Sequence, residues 1–549
     1  MTVITNGLVV DGTGRAAVPA DIVIDGDKIA DVIERNGAVA NTFPDAQKID
    51  AEGCLVTPGF IDVHSHSDAY LLIEPDAPSK ISQGITTEIN GQCGGSAIPR
   101  YGAARLSSDW ASMDYPSLPD ETGQTKISKG PSWRSLAEYR ALFGHIRPAI
   151  NTVQFIGHNT LRSSVIGYEA SSATPETLAE MSRLLERELD DGGWGLTTGL
   201  IYQPGKYSSP EEVAALAKIA AGKGGFYATH MRSEGDRIIE AIDEVLDLVR
   251  KTGIRAEISH LKTSGENNWR KIDAVIEKIG NAVDCGELLG SDRYPYCAAG
   301  TDLDVVLPDW AGEGGLAKEL ERLENEETRK KIVEELDSSS RDWSSVQIGG
   351  TWSEATAEFG GRKISEILSA EKRFKNSPGR LVAEILLEDA GRTGAFFFGM
   401  SEENLHKIYA CPWVLPGSDA SLRAPWGVLG KDHPHPRAYG TMPRFFKMLT
   451  GRIEGHSAIA SREEAIARMT SKAAERFGIK NRGTIAKGAF ADIAIWNENE
   501  FDDTSTYTKP HSFAKGMKRV FVNGVLSYSG DGFASGTKNG RNGRFLERG

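Results

Sequence analysis

Several features that mark other classes of protein are missing from this 549-residue chain. No apolar run approaches the roughly 18 residues that a membrane-spanning helix requires, so we expect no membrane partner. The N-terminal stretch MTVITNGLVVDGTG lacks a basic segment followed by an apolar one, and we therefore expect no signal peptide. A net charge of −13, without any cluster of Lys and Arg, argues against nucleic acid as a partner.

Cysteine is scarce, at five residues, and none of them belongs to a CxxC motif. An odd, scattered set argues against a disulfide framework and is typical of a protein kept in a reducing cytoplasm, which is the location we expect. Free cysteines usually behave as small core residues, and Cys54, Cys285, Cys297 and Cys411 fit that interpretation. Cys93 differs, because it lies in a glycine-flanked loop where packing needs it least.

Both ends of the chain have the pattern of β-sheet. Apolar residues alternate around three dipeptides that favour hairpin turns. These dipeptides are Asn6-Gly7, Asp25-Gly26 and Asn523-Gly524. We therefore expect residues 1–57 and 480–549 to pair into one small β-sandwich domain built from both chain ends.

Between these ends, residues 58–479 alternate short apolar strands with amphipathic helices, the pattern of a parallel α/β fold. The clearest repeat starts at Ser209, a helix N-cap followed by Pro210, and its two strands end at His230 and His260. Counting such strands gives eight and predicts a (β/α)8 TIM-like barrel. The strands are predicted at 60–63, 84–89, 153–156, 195–200, 226–229, 254–259, near 290 and at 414–415.

Two stretches of the barrel region do not fit this repeat. Residues 101–133 are rich in turn-forming residues and are predicted to cross over the rim of the barrel. Residues from about 310 to 410 begin with a highly charged helical sequence and are too long for one crossover. We interpret them as an inserted lid or as the contact of a homo-oligomer. A solvent-exposed helical decoration is the alternative.

Histidines end several of the predicted strands. The strand that begins at Phe60 runs into His64 and His66, whose i and i+2 spacing directs both imidazoles to the same face. His230 and His260 are separated by the length of one βαβ repeat, so they end successive parallel strands at the same rim. In a (β/α)8 barrel that rim contains the active site.

The predicted rim also holds Cys93 and Asp419. Imidazoles and a thiolate are ligands that favour Zn²⁺, and a catalytic zinc activates water and polarises a carbonyl. The carboxylate of Asp419 is then the natural general base, which takes a proton from the attacking water and returns it to a leaving amine. These residues predict metal-assisted hydrolysis of an amide or a similar C–N or C–O bond.

A set of specific motifs extends over most of the chain: PGFIDVHSHSD, GITTEINGQCGGSAIP, THMRSEGD, SHLK, GSDAS and HPHPRAYGTMPRFF. Together they resemble the amidohydrolase superfamily and, within it, the D-aminoacylase family of N-acyl-D-amino-acid deacylases. Many other amidohydrolases use a carboxylated lysine from a later strand as a metal ligand. This chain offers none at the end of the fourth strand, apart from Lys206 further into the loop. That agrees with the variant of the site in which a cysteine is the ligand.

The resemblance implies a division of the metal ligands into two groups. Cys93, His230 and His260 match the positions that hold one zinc tightly. His64 and His66 match the positions that hold a second, weaker zinc or stay partly occupied, with Cys93 as a bridge between the two. The expected cofactor is therefore Zn²⁺.

The resemblance also implies how a substrate is held. Asp419 matches the catalytic acid and base of the family, and Lys262 and Tyr294 match positions that bind a substrate carboxylate by charge-assisted hydrogen bonds. A solvated loop lysine is the alternative for Lys262, but its place two residues after His260 favours the carboxylate. We expect a small-molecule substrate, an N-acyl amino acid of D configuration, that is hydrolysed to a carboxylate and a free amino acid.

Two other functions stay open at this stage. A related amidohydrolase could act on a cyclic amide, a dipeptide or an aryl amide or ester. A non-catalytic scaffold protein could have kept the barrel, although such proteins have lost metal ligands that this chain retains. The Ala-Gly-Ser-Thr that usually follows YPY in the family reads Ala-Ala-Gly-Thr at 298–301. The substrate therefore need not be a simple N-acetyl-D-amino acid.

Overall fold

The computed structural model describes residues 1–34, 43–104, 113–120, 123–530, 532–533 and 540–548. Within them the chain forms a β-sheet domain, a barrel of parallel strands and an insertion between the last two barrel strands. The predicted β-rich ranges and the predicted excursion at 101–133 also contain residues 35–42, 105–112, 121–122, 531, 534–539 and 549, which lie outside the described residues. The described part of the excursion includes a short hairpin, Asp114–Pro116 with Ile127–Lys129.

The two ends of the chain meet in one sheet, as the sequence predicts. Leu55–Pro58 pairs with Ile493–Trp496 in antiparallel register, which joins the N-terminal strands to the C-terminal ones. Apolar side chains from both ends share one core, because alternating residues of each strand face the same side. The described strands of this sheet are Thr2–Val9, Val18–Asp25, Lys28–Ile33, Gln47–Asp50, Leu55–Pro58, Ile493–Trp496, Met517–Val522, Val525–Ser529 and Gly532–Phe533.

Two of the three predicted hairpin turns are correct and one is wrong. Gly26 and Gly524 have positive φ and join strands that pair with each other. Asn6 and Gly7 instead lie inside the strand Thr2–Val9, where the register against Val18–Asp25 shifts and Asn6 has φ of 61°. Asn-Gly provides the positive φ that both a hairpin and a β-bulge need, so the dipeptide alone does not separate the two.

The predicted (β/α)8 barrel is confirmed. Neighbouring strands pair in parallel register around the ring. A parallel bridge between Ser65 and Ala420 joins the end of the first strand to the end of the eighth and closes it. In the described part of the chain the eight strands are Phe60–Asp62, Ile85–Asn90, Asn151–Gln154 continued by Ile156–Gly157, Gly195–Gly199, Phe226–His230, Arg255–Ile258, Leu289–Arg293 and Val414–Pro416.

Amphipathic helices cover the outside of the barrel and bury their apolar stripes against the strands. Pro210–Gly222 begins as predicted, since the Ser209 side chain accepts a hydrogen bond from the Glu212 amide at 3.2 Å. The helices are Tyr70–Ile73, Pro78–Ile81, Leu136–Ile146, His158–Val165, Pro175–Asp190, Pro210–Gly222, Ile238–Thr252, Ile272–Asp284, Glu402–Ala410, Arg437–Leu449, Arg462–Met469 and Ser471–Phe477. Across the described ranges, none of the helices has the length and apolar character needed to traverse a bilayer.

The insertion lies between the seventh and eighth barrel strands and has an apolar core of its own. Its strands are Ala298–Asp302, Val346–Ile348 and Gly394–Phe398, and its helices are Asp309–Gly312, Leu316–Glu324, Glu326–Asp337, Ile364–Ala370 and Pro378–Glu388. It therefore begins before the predicted bound of about 310. It also ends before 410, because Leu405 and Ile408 of Glu402–Ala410 pack in the barrel core. Its roles as a lid or an oligomer contact stay predictions.

Candidate active site

The carboxyl ends of the barrel strands bring the predicted metal ligands together. Cys93 Sγ lies 3.4 Å from His64 Nε2 and 3.3 Å from His260 Nε2. Asp419 Oδ1 lies 3.3 Å from His64 Nε2 and 3.0 Å from His66 Nε2. One ligand atom each from His64, Cys93, His260 and Asp419 lies within 4.8 Å of all the others. These four side chains are therefore close enough to share a metal ion.

His230 joins the cluster from the end of the fifth strand. Its ring centroid lies 4.4 Å from that of His260. His230 is 4% exposed, and neither of its ring nitrogens makes a hydrogen bond within the described residues. Burial lowers the pKa of His230 and so favours the neutral imidazole, which is the form that binds a metal. His230, Glu234 and His260 form a second group whose ligand atoms lie within 4.8 Å of one another, and His260 belongs to both groups. The imidazoles and the Cys93 thiol of the two groups are of the donor types that fit Zn²⁺.

Three of these residues have a strained backbone. Cys93, His260 and Asp419 have φ of 52°, 39° and 49°, in the left-handed region that side chains other than glycine rarely adopt. Gly94, next to Cys93, has φ of 75°, and a Cβ there would lie 2.3 Å from the Asn159 side chain. Strain of this kind concentrates at functional sites, where the surrounding structure enforces it.

Two carboxylates to which the sequence analysis assigned no role orient the imidazoles. Asp292 Oδ2 lies 3.1 Å from His64 Nδ1, and its Oδ1 accepts a hydrogen bond from the His260 backbone amide at 2.9 Å. Glu234 Oε1 lies 2.8 Å from His260 Nδ1. Each contact leaves the Nε2 atom facing Cys93, the arrangement that carboxylates impose on metal-binding histidines. The available signals were the strand-end position of Asp292 and the place of Glu234 within THMRSEGD.

The charges at the rim favour ionised forms of Cys93 and Asp419. Burial opposes ionisation of the Cys93 thiol, but the imidazoles of His260 and His64 hold its pKa well below the usual value. Burial also opposes ionisation of Asp419, but Arg437 Nη1, 2.8 Å from Asp419 Oδ2, helps to hold the pKa of that carboxyl well below its usual range. A thiolate is the form that binds metals, and an ionised carboxylate can accept a proton.

The two predicted substrate-binding residues lie beside this cluster. Lys262 Nζ pairs with Glu234 and lies 3.0 Å from His260 Nδ1. Tyr294 is fully buried, and the guanidinium of Arg437 lies 4.5 Å from its ring centroid. Burial acts to raise the pKa of Tyr294, but nearby cations, Lys262 foremost, lower it. Arg437 thus adds a second cation to this corner, which its place in the HPHPR motif did not by itself predict.

An eight-stranded barrel with histidines, a thiolate and an aspartate on one rim defines a class of metal-dependent hydrolases. The model of the amidohydrolase family matches residues 47–281 and 410–528, and the chain belongs to this family. The unmatched stretch between these two segments contains the insertion. The N-acyl-D-glutamate deacylase of Alcaligenes xylosoxydans xylosoxydans is 30% identical over 548 residues, which cover 100% of this chain and 96% of that enzyme.

Two solved structures are similar over the whole chain. An N-acyl-D-glutamate deacylase from Bordetella bronchiseptica, in complex with zinc and a phosphonate mimic of the tetrahedral intermediate, gives a TM-score of 0.79 at 28% identity, covering 100% of this chain and 99% of that one. A D-aminoacylase with a binuclear metal centre, activated by one metal and attenuated by the second, gives a TM-score of 0.78 at 28% identity and the same coverage. The family predicted from the sequence motifs is confirmed.

Proposed function

We propose that this protein is a zinc-dependent deacylase that hydrolyses the amide bond of an N-acyl-D-amino acid to a carboxylate and the free amino acid. The placement of Asp419 is the observation on which the proposal depends. Its carboxylate contacts His64 and His66 on one side and Arg437 on the other. A proton acceptor thus lies between a zinc-binding donor set and a corner that attracts a substrate carboxylate. The deacylase activities of the two named relatives support the same reaction.

The metal ligands are assigned on the same basis. Cys93, His230 and His260 would hold the tightly bound zinc. Within the described residues neither ring nitrogen of His230 makes a hydrogen bond, although Glu234 Oε2 lies 3.5 Å from Nε2, and this supports the place of His230 among the ligands. His64 and His66 would hold a second, weaker zinc, and the Cys93 thiolate, 3.4 Å from His64 Nε2, would lie within reach of both groups of ligands. When bound, zinc supplies a Lewis acid that polarises the acyl carbonyl and activates water.

Asp419 carries out the proton transfer. Its carboxylate takes a proton from the attacking water as the new C–O bond forms, and delivers that proton to the leaving nitrogen as the C–N bond breaks. Arg437 keeps the carboxyl ionised before the reaction, because it lowers the pKa of Asp419.

Lys262, Tyr294 and Arg437 would hold the substrate carboxylate by charge-assisted hydrogen bonds. Because Lys262 pairs with Glu234 in this structure, the substrate has to share or replace that partner. The substrate class follows from this corner: a small molecule that carries a carboxylate near its scissile amide. The cytoplasm remains our prediction for location, supported by five free cysteines, and a homo-oligomer remains a prediction as well.

Paired N-acyl-D and N-acyl-L amino acids, assayed with zinc added and withheld, test the proposed reaction. We expect hydrolysis of the N-acyl-D-amino acids when zinc is present and none when zinc is withheld. Activity confined to cyclic amides, dipeptides or aryl esters would contradict the substrate assignment. Asp419→Asn should retain zinc and lose at least about 100-fold in kcat, the contribution of a positioned acid or base.

Asp11→Asn is the matched control for this variant. Asp11 also pairs with an arginine, Arg15, at 2.7 Å, but it lies in the sheet domain. Its replacement should leave kcat unchanged. Turnover retained by Asp419→Asn would refute the assigned mechanism.

A further inference from the structure

A buried lysine behind the site takes no part in the proposed proton transfer. Lys80 lies on the short helix Pro78–Ile81, between the first and second barrel strands, and is fully buried. Because an ammonium group leaves water at high cost, a buried lysine must be paired. Its Nζ lies 2.8 Å from Asp62 Oδ2 and 3.6 Å from Glu88 Oε2, and it also donates to Ser65 Oγ at 3.1 Å.

The same ammonium group binds the residues on either side of Asp419. Lys80 Nζ donates to Ser418 Oγ at 2.9 Å and to the Ala420 carbonyl at 2.8 Å. Ser418 in turn donates its backbone amide to Asp62 Oδ1 at 2.8 Å and its hydroxyl to Asp62 Oδ2 at 2.6 Å. These contacts attach the end of the eighth strand to the end of the first.

The network surrounds a backbone conformation that is unfavourable by itself. Asp419 has φ of 49°, and such a conformation persists only where neighbouring contacts enforce it. Its own amide donates to the His64 carbonyl at 2.8 Å, while Ser418 and Ala420 are held by Lys80. In this conformation the Asp419 carboxylate reaches the imidazoles on one side and Arg437 on the other.

We propose that Lys80, together with Ser418, is a positioning residue for Asp419: it holds the carboxylate in the geometry that proton transfer needs, without touching the substrate. The proposal rests on the proposed function, in which Asp419 moves the proton. A purely structural role would reduce activity only as far as it reduces the amount of folded protein. A positioning role lowers kcat while the affinity for substrate and the zinc content stay the same.

Ser418→Ala tests the proposal with a small change. It removes the hydroxyl that accepts a hydrogen bond from Lys80 and donates one to Asp62. The change should lower kcat by about 10- to 100-fold, since misplacing a reacting group by about 1 Å has an effect of that size. KM and zinc content should stay within about twofold of the wild type. Ser82→Ala is the matched control, because Ser82 is equally buried beside the same helix and its hydroxyl makes no hydrogen bond among the described residues.

Lys80→Met should lower kcat in the same way if it folds, but it leaves Asp62 and Glu88 without their cation. Ser418→Ala, which leaves the buried charges paired, is therefore the decisive test of the positioning role. The double variant Ser418→Ala/Asp419→Asn should be no slower than Asp419→Asn alone, because both changes act on one group. A kcat of Ser418→Ala equal to that of Ser82→Ala would overturn the proposal. So would a loss of zinc that accounts for the whole decrease.

A crystal structure of Ser418→Ala separates this proposal from the proposed function. If the wild type hydrolyses no N-acyl amino acid, the proposed function fails, but the position of Asp419 can still be compared. An Asp419 that leaves the left-handed region, or whose carboxylate moves away from Arg437, supports the positioning role. An Asp419 in the wild-type position contradicts it.

Discussion

Replacing Glu234 with glutamine should weaken zinc binding without disturbing the fold. Glu234 Oε1 lies 2.8 Å from His260 Nδ1 and pairs with Lys262, and its Oε2 lies 3.5 Å from His230 Nε2. Glutamine retains the shape and one acceptor but removes the charge that orients the His260 imidazole. Loss of such a supporting carboxylate costs about 10- to 100-fold in metal affinity, or ~1.4–2.7 kcal/mol. The dissociation constant for zinc, measured by competition with a chromogenic chelator, should rise by that factor.

The matched control for Glu234→Gln is Glu244→Gln. Glu244 is likewise a carboxylate paired with a cation, Arg232 of the THMRSEGD motif at 2.9 Å, but within the described residues no hydrogen bond or ion pair joins it to the imidazoles. Its replacement should leave the zinc affinity unchanged. If Glu234→Gln binds zinc within twofold of the wild type, then Glu234 does not orient His260. Equal weakening in both variants would point to a general change in the loop that follows the fifth strand.

Two further outcomes are expected. Cys93→Ser should lose the tightly bound zinc, measured by metal analysis, while the same change at the exposed Cys285 should not. Burial raises the pKa of Glu257 to about 7 despite the opposing Arg476, so the folded chain binds a proton that the unfolded chain releases above about pH 4.3. The stabilisation by this bound proton is fully present below about pH 4.3 and is lost as the pH rises through about 7. In urea unfolding, the free energy of unfolding of Glu257→Gln relative to that of the wild type should therefore rise by up to ~3 kcal/mol from pH 4 to pH 8. A difference between the two proteins that stays constant over this range would contradict the prediction.

The barrel could be predicted from the sequence because its strands and helices have different apolar periods. Each strand is a short apolar run, and the residue that follows it in a parallel barrel must lie at the same rim. That rule alone brings His64, His230 and His260 together. The bounds of the insertion were less predictable, because Glu402–Ala410 follows the insertion directly and is an amphipathic helix, as the insertion helices are. Only its packing through Leu405 assigns it to the barrel.

The residues that support the site could not be found in this way. Asp292 and His64 are 228 positions apart in the sequence, and Ser418 and Asp62 are 356 apart. No local period connects such pairs. The strand-end rule says which residues reach the rim, but it does not say which carboxylate accepts from which imidazole. Arg437 illustrates the same limit, because a loop separates it from the eighth strand and no sequence pattern determines the path of that loop.

The strained backbone at the rim is held in place by contacts from distant parts of the chain. Cys93, His260 and Asp419 each have a left-handed backbone, which costs about 1–2 kcal/mol for a residue with a Cβ. At His260 and Asp419 the amide that precedes this turn is held by a different strand: His260 by Asp292, and Asp419 by the His64 carbonyl. In this conformation His260 Nε2 lies 3.3 Å from Cys93 Sγ, and Asp419 Oδ1 lies 3.0 Å from His66 Nε2. The contacts that enforce the strain at His260 and Asp419 therefore come from residues distant in the sequence.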